Sequence, residues 1–251
     1  MKREQGTMDM GLFCDIINQA KDMKIKRVHL HNYGEPLLDE RLAEKISYAK
    51  SRGMNVKIFT NASLLKKEKA RKILDAGIDE IKISMDGVTK GTFERIRKNL
   101  KFEDVIEGIE NVIKIKGDRQ KPFISLVLVS FDENKKEISF LKKKWNKRVN
   151  SVIVTRYHNW AGEKQGKERL LEKIQKNIPC SRLWKTITVL WNGKVALCCL
   201  DYDGQIILGD TSKEPLEKIW HSNNYNKVRM LHQNGLQNKI PLCNVCTIGR
   251  L

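Results

Sequence analysis

The chain has 251 residues, of which 40% are apolar, so it can bury one large core or a medium barrel with a small appended domain. No apolar stretch approaches the roughly 20 residues that a membrane-spanning helix needs, which excludes a helical membrane protein. The N-terminus shows no long apolar core of a secretory signal, and we expect a reducing, cytoplasmic environment.

The charge of the chain is strongly positive, with 48 basic against 30 acidic residues and a net charge of +18. A surplus of this size can attract nucleic acid, anionic lipid or a phosphorylated substrate. The basic runs at 66–72 and 142–148 lack the aromatic interleaving of a nucleic-acid platform, and we interpret them as solvated helix faces. We therefore expect neither a nucleic-acid nor a membrane partner.

Short apolar runs rich in β-branched residues alternate along the chain with longer segments of helical periodicity. The predicted strands are Arg27–His31, Asn55–Thr60, Glu80–Met85, Phe123–Ser130 and Ser151–Thr155. The predicted helices lie near 9–24, 39–52, 64–76, 89–116 with a break around 98–102, and 133–146. This alternation predicts parallel strands joined by right-handed crossovers, and five strands do not close an eight-stranded barrel. We therefore expect a partial α/β barrel that is incomplete at its N-terminal side.

A β-hairpin is predicted further along, because Asn192-Gly193 is a strong two-residue turn signal between two apolar runs. It should pair residues 186–191 with residues 194–199. Neighbouring strand residues point to opposite faces, so Cys198 and Cys199 cannot easily serve the same site, and the alternation alone does not choose between them.

Cysteines are concentrated in the last third of the chain, where five of the six lie: Cys180, Cys198, Cys199, Cys243 and Cys246. A close Cys-x-x-Cys pair with two more distant cysteines is typical of a zinc site or an iron–sulfur cluster. Disulfides are disfavoured by the expected reducing compartment. The sixth, Cys14, lies in an apolar run and is interpreted as a small buried hydrophobic residue.

The residues just past each predicted strand are the first candidates for chemistry, because functional groups gather at the C-terminal ends of parallel strands. The turn Gly34-Glu35-Pro36 exposes backbone groups and one carboxylate, which suits capture of an ammonium group. Asn61 and Asp86 follow the next two strands and could meet hydroxyls or amides. Each also has a structural explanation, as a turn or a helix cap.

Three motifs at these strand ends resemble, in order and spacing, the core of the radical S-adenosylmethionine enzymes. They are YGEPLL after the first strand, TNASLL after the second, and ISMDG followed by FERIR after the third. The C-terminal region resembles the reduced, or twitch, form of the SPASM extension of these enzymes, with twelve residues between Cys180 and Gly193 and four between Gly193 and Cys198. The resemblance covers nearly the whole chain.

The resemblance selects Cys198 over Cys199 and implies one auxiliary [4Fe–4S] cluster held by Cys180, Cys198, Cys243 and Cys246. It also implies an S-adenosylmethionine site formed by Gly34, Glu35, Pro36, Asn61, Ser84, Asp86 and Arg97. Within that site Arg97 would pair with the cofactor carboxylate, unless it is a solvated base on its helix. Tyr33 departs from the pattern, since many relatives have a glycine there.

The segment that leaves the last strand is the expected substrate-facing surface: Arg156, Tyr157, His158, Asn159 and Trp160. The alternative is that Tyr157 and Trp160 pack a domain junction. We expect residues 1–160 to form the barrel, residues 161–179 a linker, and residues 180–251 a small α+β cysteine-rich domain for the auxiliary cluster.

The cluster that starts the chemistry in this family is held by Cys-x-x-x-Cys-x-x-Cys after a first barrel strand, and the 251 residues contain no such triplet. The segment KREQGTMDMGLF resembles what normally follows that loop. We expect an N-terminally truncated gene model, with a natural relative lacking this cluster as the alternative. A second [4Fe–4S] cluster is then expected only with the missing segment, and no radical chemistry from this polypeptide alone.

The resemblance implies hydrogen abstraction from a substrate, with the auxiliary cluster as an electron acceptor. A single auxiliary cluster favours oxidation or modification of a small sugar- or alcohol-like molecule over modification of a peptide. A flavodoxin or ferredoxin is the expected electron donor. A hypothesis from another class is a non-catalytic scaffold protein with a four-cysteine zinc site.

Overall fold

Ten α-helices and eight β-strands make up the part of the chain that the computed structural model describes, residues 2–156 and 178–246. The helices are α1 Met10–Asp22, α2 Leu42–Ser51, α3 Lys67–Asp75, α4 Lys90–Ile96, α5 Phe102–Lys116, α6 Ile138–Trp145, α7 Arg182–Lys185, α8 Leu216–Trp220, α9 Asn223–Gln233 and α10 Pro241–Val245. The strands are β1 Arg27–His29, β2 Asn55–Thr60, β3 Glu80–Ser84, β4 Phe123–Ser130, β5 Ser151–Arg156, β6 Thr188–Val189, β7 Lys194–Ala196 and β8 Ile207–Asp210. In these ranges no helix is both long enough and apolar enough to cross a membrane.

The described residues divide into two compact units. The barrel unit contains residues 24–156, and the cysteine unit contains residues 2–23 together with residues 178–246. This differs from the predicted division at 160, because the N-terminal segment is bonded to the cysteine unit. Gln19 Oε1 on α1 accepts a hydrogen bond from the Leu216 amide at 2.6 Å, and Trp191 Nε1 donates to the Glu4 carbonyl at 3.1 Å. Most of the predicted linker, residues 161–177, lies outside the described residues.

The barrel unit is a parallel sheet with the strand order β1-β2-β3-β4-β5, which confirms the predicted α/β architecture. Parallel neighbours need long crossovers, and α2, α3, the pair α4 and α5, and α6 occupy the four connections. Alternate residues of β2 are buried, as expected for a strand with one face against a core. The predicted strand ends are correct to within two residues, since β1 ends at His29, β3 at Ser84 and β5 at Arg156.

The basic run at 142–148 contains one buried aromatic residue, Trp145. Trp145 at the end of α6 is fully buried, while the Arg148 guanidinium carbon lies 5.0 Å and the Lys144 amine 5.6 Å from the centre of its ring. Arg148 also forms an ion pair with Glu110. The run is therefore a helix end that packs through its tryptophan and keeps its charges at the surface.

Helix α5 packs tightly against the loop after β2 at Gly108, and this position gives a direct test of the packing. A Cβ atom at Gly108 would lie 2.2 Å from the Ala62 carbonyl oxygen, so Gly108→Ala is expected to lower the free energy of unfolding by at least about 1–3 kcal/mol. Gly91→Ala in α4 is the matched control, because a Cβ there meets nothing within 4 Å. The control should be neutral or stabilising by up to about 1 kcal/mol in denaturant unfolding. Equal values for the two variants would contradict this packing.

The cysteine unit contains the predicted hairpin, but in a different register. Val189 pairs with Val195 and Thr188 with Ala196. The Leu190 amide also donates to the Lys194 carbonyl at 2.8 Å, so a three-residue loop at 191–193 replaces the predicted two-residue turn. Gly193 closes that loop with φ +82°, and its amide donates to the Leu190 carbonyl at 3.0 Å. This is the geometry of a three-residue hairpin loop that ends in a glycine with positive φ. The second strand ends at Ala196, so strand alternation does not apply to Cys198 and Cys199.

A third strand, β8, was not predicted and completes an antiparallel sheet in the order β6-β7-β8. Its pairing with β7 is irregular between Val195 and Ala196.

Cys14 was expected to be buried and is only partly buried on α1.

Candidate functional site

The turn after β1 is built around Glu35. Gly34 has φ +116°, a backbone conformation that residues with a Cβ atom rarely adopt. Glu35 accepts hydrogen bonds from the amides of Leu37 at 3.2 Å and Asn61 at 2.8 Å, and from the Thr60 hydroxyl. Burial raises the pKa of the Glu35 carboxyl, although these three hydrogen bonds oppose the rise. The Glu35 carboxylate therefore connects the turn after β1 to the end of β2 by hydrogen bonds.

Asn61 occupies the corresponding position after β2. Its Oδ1 accepts hydrogen bonds from the Ser63 amide at 2.9 Å and the Ser63 hydroxyl at 2.7 Å, which is a turn stabilised by its own side chain. Thr60 pairs with Ile83 in the sheet, so Asn61 lies beside Ser84 one step further along. Ser84 is buried at the end of β3. The two polar residues are thus neighbours at the same edge of the sheet.

Asp86 and Arg97 form an ion pair just past β3. Asp86 Oδ2 lies 2.6 Å from Arg97 Nε and 2.5 Å from Nη2, and its Oδ1 accepts the Val129 amide at 2.7 Å. The Asp86 side chain is 3% exposed and the Arg97 side chain 35% exposed. From the sequence, Arg97 was expected either to pair with the cofactor carboxylate or to be solvated. In the structure its partner is the buried carboxylate of Asp86.

Two residues that the sequence analysis missed hold the loop after β3. Asn134 is fully buried and donates from Nδ2 to the carbonyls of Asp86 at 2.9 Å and Val129 at 2.8 Å. Glu137 accepts hydrogen bonds from the Val88 amide at 2.7 Å and the Thr92 hydroxyl at 2.6 Å. These bonds outweigh burial, which acts in the opposite direction, and hold the pKa of Glu137 below its ordinary value. No local sequence motif identifies either residue, because the loop that they hold lies more than 40 positions earlier in the sequence.

The structure therefore places Glu35, Asn61, Ser84 and Asp86 along one edge of the parallel sheet, at the C-terminal ends of β1, β2 and β3. Arg156 is the last residue of β5, and its backbone pairs with Ser130. Its side chain and the remaining predicted substrate residues, Tyr157, His158, Asn159 and Trp160, lie outside the described residues.

A cavity in the cysteine unit is lined by four of the six cysteines: Cys180, Cys198, Cys243 and Cys246. The other lining residues are Ile178, Arg182, Leu200, His232, Gln237 and Leu242. The empty space, including its open mouth, is about 470 Å³. Cys199 is exposed and does not line the cavity, although its thiol lies within electrostatic range of Cys180 and Cys246. Among the described residues, no three His, Cys, Asp or Glu side chains are spaced to hold a single metal ion.

The loop that carries Cys198 is fixed by a buried aspartate. Asp201 accepts the amides of Gln205 at 2.8 Å and Ile206 at 2.9 Å, and its own amide donates to the Cys198 carbonyl at 3.0 Å. Burial raises the pKa of the Cys198 thiol to about 12, although backbone amides of Leu200 and Asp201 point at the sulfur and oppose this. Backbone N–H donors toward a cysteine sulfur are the environment in which an iron-bound thiolate is stabilised.

Helix α9 connects the first cysteine to the rest of the unit. The Arg229 guanidinium carbon lies 4.2 Å from the Trp220 ring centre and 4.7 Å from the Tyr225 ring centre, and its Nε donates to the Leu183 carbonyl on α7 at 3.0 Å. One turn later His232 accepts the Cys180 amide on Nδ1 at 3.3 Å. Burial lowers the pKa of His232, so the imidazole is neutral near pH 7. The segment around Cys180 is therefore held by α9 at two points.

The described residues form a parallel α/β unit with polar strand ends and a second unit with a four-cysteine cavity. Comparison with protein families identifies the class of protein to which this arrangement belongs. The Radical SAM superfamily model matches residues 8–144, more than half of the chain, and the chain belongs to this superfamily. The SPASM model, described as an iron–sulfur cluster-binding domain, matches residues 180–247.

Individual relatives are more distant. The tungsten-containing aldehyde ferredoxin oxidoreductase cofactor-modifying protein of Pyrococcus furiosus is 24% identical over 98% of this chain and 80% of its own length. The crystal structure of BtrN in complex with AdoMet and 2-DOIA has a TM-score of 0.62 at 19% identity, over 98% of this chain and 83% of BtrN. Streptococcus suis SuiB bound to the precursor peptide SuiA has a TM-score of 0.72 at 13% identity, over 98% of this chain and 66% of SuiB.

These matches confirm the predicted family, its partial-barrel fold and its cofactors, which are S-adenosylmethionine and iron–sulfur clusters. The cysteine unit fits such a cluster, because four thiols face one cavity and backbone amides already point at one of the sulfurs. The assignment of individual residues to either cofactor remains a prediction.

Proposed function

We propose that the chain is part of a radical S-adenosylmethionine enzyme that oxidises or modifies a small sugar- or alcohol-like molecule with the help of one auxiliary [4Fe–4S] cluster. The observation that carries the proposal is the cavity lined by Cys180, Cys198, Cys243 and Cys246. Four thiolates complete the coordination of one such cluster. No cysteine of the cavity lining is then left to bind a second cluster.

The residues at the sheet edge have distinct tasks in this proposal. The turn Gly34-Glu35-Pro36 would present backbone groups to the amino end of S-adenosylmethionine, while the Glu35 carboxylate fixes the turn to β2. Asn61 and Ser84 would contact the ribose or methionine portion. When bound and reductively cleaved, the cofactor supplies the hydrogen abstraction, and the protein positions the substrate and excludes water.

Asp86 and Arg97 would act on the cofactor as a pair. Asp86 holds the Nε side of the guanidinium, so Arg97 is fixed in direction. A guanidinium has five N–H donors, and the pair therefore leaves donors for a cofactor carboxylate. Asn134 holds the backbone of Asp86 and keeps the pair at the end of β3.

The proposed substrate class is supported by the single cluster and by BtrN, whose structure contains the small molecule 2-DOIA. A peptide is the second candidate, because SuiB has the same fold and was solved with its precursor peptide. Residues 156–160 are the proposed substrate contacts in either case. A flavodoxin or ferredoxin is the proposed electron donor.

Metal analysis of the anaerobically reconstituted chain tests the proposal. We expect about four iron and four acid-labile sulfide atoms per chain and a brown protein, because the cavity thiols bind a [4Fe–4S] cluster. The same chain offered zinc and iron together should retain the iron and sulfide. Recovery of about one zinc per chain and no sulfide would instead support the structural zinc site of a scaffold protein.

A further inference from the structure

His232 is a buried histidine of the cysteine unit with one ring nitrogen that has no partner in the described residues. It lies in the last turn of α9, its side chain is 3% exposed, and it lines the cavity together with the four cysteines. Its Nε2 atom is buried and has no hydrogen-bond partner among the residues that the structure describes. Buried polar atoms in native proteins almost always have a partner, so this nitrogen indicates a group that the described residues do not supply.

The hydrogen bond at the other ring nitrogen fixes what Nε2 can do. The Cys180 amide donates to His232 Nδ1 at 3.3 Å, and a backbone N–H can only donate, so Nδ1 carries no proton. The neutral ring then carries its proton on Nε2. A protonated nitrogen is a hydrogen-bond donor and cannot coordinate iron. The geometry therefore makes His232 a donor toward the cavity and excludes it as a fifth ligand.

We propose that His232 donates its Nε2–H group to a sulfur atom of the cluster bound by Cys180, Cys198, Cys243 and Cys246. The inference rests on the proposed function, since it requires the cluster in this cavity. The same imidazole holds the Cys180 amide, so His232 is a positioning residue for one ligand and an electrostatic partner of the cluster. Hydrogen bonds to the sulfurs stabilise the reduced, more negative cluster and raise its reduction potential.

The experiment compares His232→Phe with a matched control in the full 251-residue chain after anaerobic reconstitution. Phenylalanine fills the space of the imidazole and removes both nitrogens. His221→Phe is the control, because His221 is exposed and lies outside the cavity. The readouts are iron and sulfide content and the reduction potential of the cluster.

We expect the wild-type protein, His232→Phe and His221→Phe to contain about four iron atoms per chain. The potential of His232→Phe should shift to a lower value, while His221→Phe keeps the wild-type potential. An unchanged potential in a fully loaded His232→Phe protein overturns the proposal, and so does a shift of the same size in His221→Phe. Wild-type protein without iron refutes the proposed function and this inference together.

A measurement on the wild-type chain covers the case in which His232→Phe does not assemble a cluster. Protein labelled with 15N at histidine Nε2 is reduced, and pulsed electron–nuclear double resonance is recorded in H2O and D2O. A hydrogen-bonded imidazole should give a weak nitrogen coupling and an exchangeable proton coupling. Absence of both, or a large nitrogen coupling typical of direct coordination to iron, contradicts the proposed donor role.

Discussion

Serine at any one of Cys180, Cys198, Cys243 or Cys246 is expected to abolish stable iron binding after anaerobic reconstitution. All four thiols face one cavity, and a [4Fe–4S] cluster in a four-cysteine site needs one thiolate for each iron. The measurement is iron and sulfide per chain, with the visible absorption of the cluster as a second readout. The expected loss is from about four iron atoms to nearly none.

Cys199→Ser and Cys14→Ser are the matched controls for these variants. Cys199 is exposed and adjacent in sequence to a proposed ligand, and Cys14 lies on α1 away from the cavity lining. Both variants should retain full iron content. The ligand assignment is wrong if Cys199→Ser loses the cluster while Cys198→Ser keeps it.

Asp86→Ala is expected to cost about 1–3 kcal/mol in the stability of the barrel unit, because it removes a buried carboxylate that accepts hydrogen bonds from its own unit. The substitution removes the partner of Arg97 and also leaves the Val129 amide without its acceptor. Asp86→Asn should cost less, since its amide oxygen can still accept from Val129. Denaturant unfolding followed by hydrogen exchange in β3 and β4 measures the effect where it arises.

Glu44→Ala is the control for the loss of an acidic partner of arginine. Glu44 on α2 pairs with Arg41 at the N-cap of that helix, with the two side chains 57% and 54% exposed, so its removal should cost much less than the removal of Asp86. If Asp86→Ala costs no more than Glu44→Ala, the ion pair at the end of β3 does not hold the loop in solution. The proposed pairing of Arg97 with a cofactor carboxylate would then lose its support.

Much of the barrel unit could be predicted from the sequence, because its signals are local. The apolar run of β2 and the helical periodicity around Ile46 are set by residues a few positions apart, and the structure matches both. The break between α4 and α5 was predicted at 98–102, and the structure has it at residues 97–101.

The parts that could not be predicted depend on contacts between distant residues. Asn134 and Glu137 act on a loop more than 40 positions upstream. The hairpin register was wrong by one residue because Asn-Gly permits both a two-residue turn and a three-residue loop with positive φ at glycine. The sequence around Arg97 gives no indication that Asp86 is its partner.

The cysteine unit is assembled from both ends of the described chain, and this has a consequence for the order in which the protein folds. On the ribosome, domains generally form as units as they emerge. Residues 24–156 contain every strand of the parallel sheet and can form it before the cysteines are made. Helix α1 is synthesised earlier still, yet its hydrogen-bond partner Leu216 emerges about 200 residues later. The nascent chain therefore carries helix α1 without its Leu216 partner until the cysteine unit has been synthesised.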